Sequence, residues 1–179
     1  FQTLLMNLRF TILLPLFFGL AAAQAQNVSE NAFFKALTGS WRGSGELVDA
    51  EGKTTEVNNR IEAKFDDDGE SFKIRGNLKF DQQELPYTWI YRASAIEGLY
   101  EANYVVDETS NLRLDSTYEV AIDESTLTAR LNQNSGVSGS ARIVFEKKIE
   151  DGKFVVKLSF VDPNENTTLN GTVTFEREE

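Results

Sequence analysis

Residues 33–47 read Phe33-Phe34-Lys35-Ala36-Leu37-Thr38-Gly39-Ser40-Trp41-Arg42-Gly43-Ser44-Gly45-Glu46-Leu47. Phe33, Phe34 and Leu37 stand at i, i+1 and i+4, one apolar face of a helix, and Ser29-Glu30-Asn31-Ala32 upstream supplies an N-cap residue followed by helix formers. Gly39 ends that helix. Beyond it the apolar residues recur at every second position and keep doing so to the C-terminus, so the stretch reads as one to two helical turns breaking into the first strand of an antiparallel sheet.

Strand follows strand with little room for helix. Trp41 to Val48 is closed by Asp49-Ala50-Glu51-Gly52, and Thr55 to Phe65 sets Val57, Asn59, Ile61, Ala63 and Phe65 against a charged and polar face. Asp67-Asp68-Gly69 is a hairpin signal, after which Phe72, Ile74, Gly76, Leu78 and Phe80 alternate with Lys73, Arg75, Asn77 and Lys79. Leu85, Tyr87, Trp89 and Tyr91 share a face of the fourth strand; Tyr100, Ala102, Tyr104 and Val106 share one of the fifth. The sixth runs Leu112, Leu114, Ser116, Tyr118, Val120, Ile122, and Leu127, Ala129 and Leu131 mark the seventh. Asn134-Ser135-Gly136 turns into an eighth carrying Ile143, Phe145 and Ile149. Asp151-Gly152 is a two-residue turn into Phe154, Val156, Leu158 and Phe160. The tenth carries Leu169, Val173 and Phe175, with Asn170-Gly171 reading as a bulge or a turn. A meander of about ten strands with one apolar face buries it most simply by closing on itself, which also removes its edges. The predicted class is all-β: an up-and-down antiparallel barrel of about ten strands with a short N-terminal helix, in a single domain spanning 26–179.

Residues 1–25 stand apart from that domain. Met6-Asn7-Leu8-Arg9 is a short positive region, 10–22 are apolar, and Ala23-Gln24-Ala25 is a small-x-small cleavage site, the pattern of a secretory signal peptide. The apolar run is shorter than the roughly 20 residues of a spanning helix, so cleavage is expected rather than stable membrane insertion. Residues 1–5 precede the single Met and read as a start site called too early. The expected location is exported, periplasmic or extracellular. Removing 1–25 takes away Arg9 and no acidic residue, which moves the net charge from −10 to −11. Such a charge disfavours nucleic acid and anionic surfaces. With no cysteine, stability rests on the core, and thiol nucleophiles and thiolate metal sites are excluded.

A short helix leading into Gly39-Ser40-Trp41 at the head of such a meander resembles the Gly-x-Trp signature of lipocalins and other calycins. The longer run Leu37 to Gly45 is similar to openings of bacterial lipocalin-like domains, among them nitrobindin-type barrels and the secreted family numbered 1579 among domains of unknown function. The resemblance implies that Trp41 seals one end of the barrel against an arginine late in the last strand, the position of Arg177. Gly39, Trp41 and Arg177 are thus expected as a structural signature. Nitrobindin-type barrels hold haem through a histidine, and this chain has none; no cofactor is assigned.

The chemistry-bearing residues collect on a few strands. Tyr87, Tyr91, Tyr100, Tyr104 and Tyr118 are all the tyrosines of the chain, and alternation turns them to the same face as Trp89. Hydroxyl-tipped aromatics on one wall of an apolar barrel suit a pocket that stacks on a ligand and orients it, with Asn59 and Ser116 as further polar anchors. The same rings also suit a filled core. Asp66-Asp67-Asp68-Gly69-Glu70 lacks the later ligands of a calcium loop and reads as a solvated turn, so no metal is assigned. Glu84, Glu97 and Asp107 show no spacing that singles out a catalytic pair. Gly136-Val137-Ser138-Gly139-Ser140 lacks the final glycine of a nucleophile elbow and a histidine base. Asn27, Asn166 and Asn170 each open an N-x-S/T triplet, meaningful only in a eukaryotic secretory pathway.

The leading expectation is an exported barrel that binds a small apolar or amphipathic molecule without catalysis. The alternatives are a barrel enzyme acting on a lipid-like or terpenoid substrate, and a packed barrel serving as an interaction module.

Overall fold

The computed structural model describes residues 27–106, 116–133 and 141–179. The leader-like residues 1–25 lie outside the described residues, as do Asp107, Leu112, Leu114, the Asn134-Ser135-Gly136 turn and the elbow-like run to Ser140. Within the described residues a 3-10 turn at Val28–Glu30 precedes one helix, α1 (Ala32–Leu37), and ten strands. These are β1 (Gly39–Asp49), β2 (Thr54–Phe65), β3 (Ser71–Phe80), β4 (Gln83–Ala93), β5 (Leu99–Val106), β6 (Ser116–Asp123), β7 (Thr128–Gln133), β8 (Arg142–Glu150), β9 (Lys153–Val161) and β10 (Thr167–Arg177). Each strand pairs antiparallel with its sequence neighbours and β1 pairs with β10, so the sheet is a closed up-and-down barrel. No described helix is long and apolar enough to cross a membrane.

The turns follow from their residues. Asp151 and Gly152 both take positive φ, +51° and +74°, which gives the two-residue link between β8 and β9 the twist its strands need. In the acidic turn Gly69 N donates to Asp66 O, and the Asp66 carboxylate pairs with Lys73 at 2.8 Å. The Lys73 ammonium and the Ser71 hydroxyl hold that carboxyl below its ordinary range. Asn170-Gly171 is neither bulge nor turn: both residues stay in the ladder opposite Val48 and Leu47, and the register shift against β9 lies between Thr167 and Leu169. Gly171 is small because Leu47 packs on it, and a Cβ there would stand 2.4 Å from Leu47 Cδ2.

Helix α1 closes one end of the barrel. Asn31 caps it, its side chain accepting from Phe33 N, and Phe33, Phe34 and Leu37 are fully buried. The Phe34 ring lies 4.9 Å from Phe72, 5.3 Å from Tyr91 and 5.4 Å from Tyr100. The helix C-terminus leaves carbonyls without helical partners, and the first and last strands supply the donors. Trp41 Nε1 donates to Leu37 O at 2.8 Å; Arg177 donates from Nη1 to Thr38 O at 2.6 Å and from Nη2 to Ala36 O at 2.8 Å. The guanidinium lies 4.4 Å from the centre of the Trp41 ring. Gly39 makes the approach feasible, with φ +128° and its missing side chain replaced by Arg177 Nη1.

Because Trp41 is 1% exposed and joins helix, β1 and β10, Trp41→Ala should lower stability by about 3–5 kcal/mol. Chemical denaturation followed by circular dichroism checks this, and an unchanged midpoint would remove the clamp from the account.

Candidate functional site

Strand alternation places the inward residues, but depth differs along the barrel. At the α1 end Phe72, Tyr91 and Tyr100 are fully enclosed. At the other end the inner-wall residues Leu47, Leu78, Phe80, Ile143 and Leu158 keep part of their surface, and Phe160 is 39% exposed. The interior therefore runs from a packed floor to an apolar wall that solvent reaches.

Between the two lies an aromatic cluster. The Trp89 ring centre is 4.7 Å from Tyr104, 5.0 Å from Tyr118 and 5.2 Å from Phe145, and Tyr87 lies 5.4 Å from Tyr104. Tyr87 is laid over Gly76, where a Cβ would meet its ring at 2.2 Å. In that position its hydroxyl accepts from Asn59 Nδ2 at 2.7 Å. Asn59 Oδ1 is buried with no hydrogen-bond partner among the described residues, an acceptor left open on the inner wall. Across the barrel Gln133 Nε2 donates to Ser116 Oγ at 3.1 Å while Ile143 N donates to Gln133 Oε1 at 2.9 Å. Tyr100 sits apart from these groups, at the closed end, where Asn31 Nδ2 donates to its hydroxyl at 3.0 Å.

The centre of the cluster is a lysine. Lys147, on β8, is 3% exposed. Its Nζ donates to the Tyr91 hydroxyl at 2.6 Å and stands 3.7 Å above the Trp89 ring centre, 5.5 Å from that of Phe145. Desolvation pushes its pKa well below the ordinary lysine value. The phenols move the other way for the same reason: burial carries Tyr91 well up, with Tyr87 and Tyr118 adding to it. Tyr87 and Tyr118 are pushed up to about 12, each against a partly offsetting hydrogen bond, and Tyr104 rises as well. These hydroxyls stay protonated at neutral pH and remain donors.

Of the residues singled out from sequence, Tyr87, Trp89, Tyr104, Tyr118, Asn59 and Ser116 line the upper interior, Tyr91 faces Lys147, and Tyr100 belongs to the closed end. Gly39, Trp41 and Arg177 form the clamp at the floor. Sequence reasoning passed over Lys147 and Gln133. The signal was present: Ile143, Phe145 and Ile149 define the inward face of β8, and Lys147 occupies the inward position between them, as Gln133 does after Ala129 and Leu131. Among the described residues no group of three or more His, Cys, Asp or Glu is placed to hold a metal. A groove of about 340 Å³ on the outer wall, lined by Ser40, Arg60, Glu62, Arg75 and Asn77, lies on the opposite face of the sheet.

No family model matches the chain, and neither does any curated protein. Solved structures do resemble it. Rv2717c from M. tuberculosis superposes with a TM-score of 0.61 at 11% identity, over 80% of this chain and 94% of that one. The S-type phycobiliprotein lyase CPES from Guillardia theta gives 0.59 at 14%, over 86% and 94%. A protein of unknown function of the DUF3598 family from Nostoc punctiforme gives 0.52 at 11%, over 81% of this chain but 49% of that one. The fold is lipocalin-like. At these identities the likeness is one of fold, and the interior residues carry the argument about function.

The buried lysine has a signature in stability. Its native pKa lies below its unfolded one, so across the window from that lowered value up to the ordinary lysine range the unfolded chain binds a proton that the native state has released. Stability attributable to Lys147 therefore rises with pH through that window and is reduced below it. Lys147→Met removes the titration together with the hydrogen bond to Tyr91. Thermal melts between pH 6 and pH 10 should show the wild type gaining on the variant as pH rises; parallel curves would mean that Lys147 is not desolvated.

Proposed function

We propose that the protein is an exported lipocalin-like barrel that takes a small apolar or amphipathic molecule through the end away from α1. The observation that carries this is the gradient of the interior: apolar inner-wall residues that keep solvent contact stand above a floor of hydroxyl-tipped aromatics. An apolar body gains by covering Leu78, Phe80, Leu158 and Phe160. Its polar groups then find the phenols of Tyr87, Tyr104 and Tyr118 and the open acceptor Asn59 Oδ1. Tyr100, engaged with Asn31 under the helix, lies outside this pocket and serves the closed end. Export rests on the signal-like pattern of residues 6–25. The kinship favoured by the run Leu37 to Gly45 is with nitrobindin-type barrels and the secreted family numbered 1579, without a haem histidine.

Native mass spectrometry of protein purified from its own host should show a retained small-molecule adduct. Binding of the neutral probe N-phenyl-1-naphthylamine, followed by energy transfer from Trp89 in a Trp41→Phe background, supplies the affinity. Tyr104→Phe should weaken it by about 3- to 10-fold, the worth of one hydrogen bond, while Tyr100→Phe lowers stability and leaves affinity alone. The absence of both adduct and probe binding would sink the pocket and leave a packed barrel.

A further inference from the structure

Lys147 is an amine in a place that supplies no counter-charge. The described groups around its Nζ are neutral: the Tyr91 hydroxyl at 2.6 Å, the Trp89 face at 3.7 Å and the Phe145 ring. Its ladder neighbours are Ala129 on β7 and Val156 on β9. Helix α1, which touches β8, turns Phe33, Phe34 and Leu37 inward and leaves Lys35 exposed. The other titratable groups of the described interior are the phenols, which burial keeps protonated. A buried amine held by one phenol acceptor and an indole face is half of an ion pair. A methionine in its place would fill the barrel at lower desolvation cost, so packing does not account for it.

We infer that Lys147 receives the acid group of the ligand, and that the molecule this barrel takes is an apolar carboxylic acid. The inference rests on the proposed pocket and deepens it by naming the head group. The carboxylate reaches the ammonium from the side of Phe145 and Tyr104, along the Trp89 face, while Tyr91 holds the Nζ from the closed end. The apolar chain is left along the inner wall toward Phe160. Burial disfavours the charged amine, and an entering carboxylate opposes that by favouring the protonated Nζ.

The test uses the full chain and dodecanoate, dodecanol and dodecylamine, each displacing N-phenyl-1-naphthylamine at pH 7. Dodecanoate should bind at least about tenfold tighter than dodecanol, and the amine more weakly than either. Lys147→Met should abolish the preference, costing dodecanoate about tenfold and dodecanol less than about threefold. If that variant fails to fold, the wild type is titrated between pH 6 and pH 10 instead. Dodecanoate affinity should fall as pH rises and Nζ gives up its proton, and dodecanol affinity should not. A dodecanoate affinity that does not change with pH would overturn the ion pair. Dodecanol bound as tightly as dodecanoate by the wild type would overturn the head-group assignment and leave the pocket standing. Failure of all three ligands and of the probe would strike the pocket itself. Capture of dodecanal by borohydride at Lys147, with no preference for dodecanoate, would replace the ion pair with imine chemistry and also overturn the proposal.

Discussion

The pairing of the first strand with the last is the constraint on which everything else depends. A ten-stranded meander left open would expose two long edges; the ladder from Trp41 opposite Arg177 to Asp49 opposite Leu169 removes both. The same contact ties the helix in. Arg177 and Trp41 together satisfy three carbonyls at or just beyond the C-terminus of α1, and the indole is covered by the guanidinium that completes the set. Closure and plugging are thus one event, since the donors that end the helix exist only where β1 and β10 meet.

With the floor sealed, the interior acquires a direction. Side chains near α1 are locked between the helix and the sheet, and those at the far rim have only one another. Polar groups in the middle are then satisfied between strands, and in one case across the barrel, rather than along a strand. Asn59 reaches Tyr87 from β2 to β4, Gln133 reaches Ser116 from β7 to β6, and Lys147 reaches Tyr91 from β8 to β4. The lysine is the costliest of these, because neutral partners do not return what a buried charge gives up. A side chain held at such expense above an indole face is better explained by what it meets than by what it supports.

Much of the architecture was legible from the chain. The period-two pattern gave strand number and facing because a pleated strand turns alternate residues to opposite sides whatever its tertiary context. The Asp151-Gly152 turn was legible for a similar reason, its two residues tolerating positive φ. Asn170-Gly171 misled because the same chemistry also serves close packing: there Leu47, from the first strand, occupies the space of the missing side chain. The clamp was visible only through a resemblance, since nothing local to Arg177 marks it out from the other arginines.

Alternation assigns a face but not a depth or a partner, and that is where sequence stopped. It put all five tyrosines on one side without separating Tyr100, drawn under the helix by Asn31, from Tyr104 beside Trp89. Lys147 was passed over although it stands in the inward row of β8, because alternation gives no means of telling a core lysine from one that bends to the rim. The fold class, the order of strands and the inward set were determined by local stereochemistry and hydrophobic period. Which of those inward groups meet was decided only by closure of the barrel, because residues 56 positions apart, Tyr91 and Lys147, come within hydrogen-bonding distance solely through the curvature of the whole sheet.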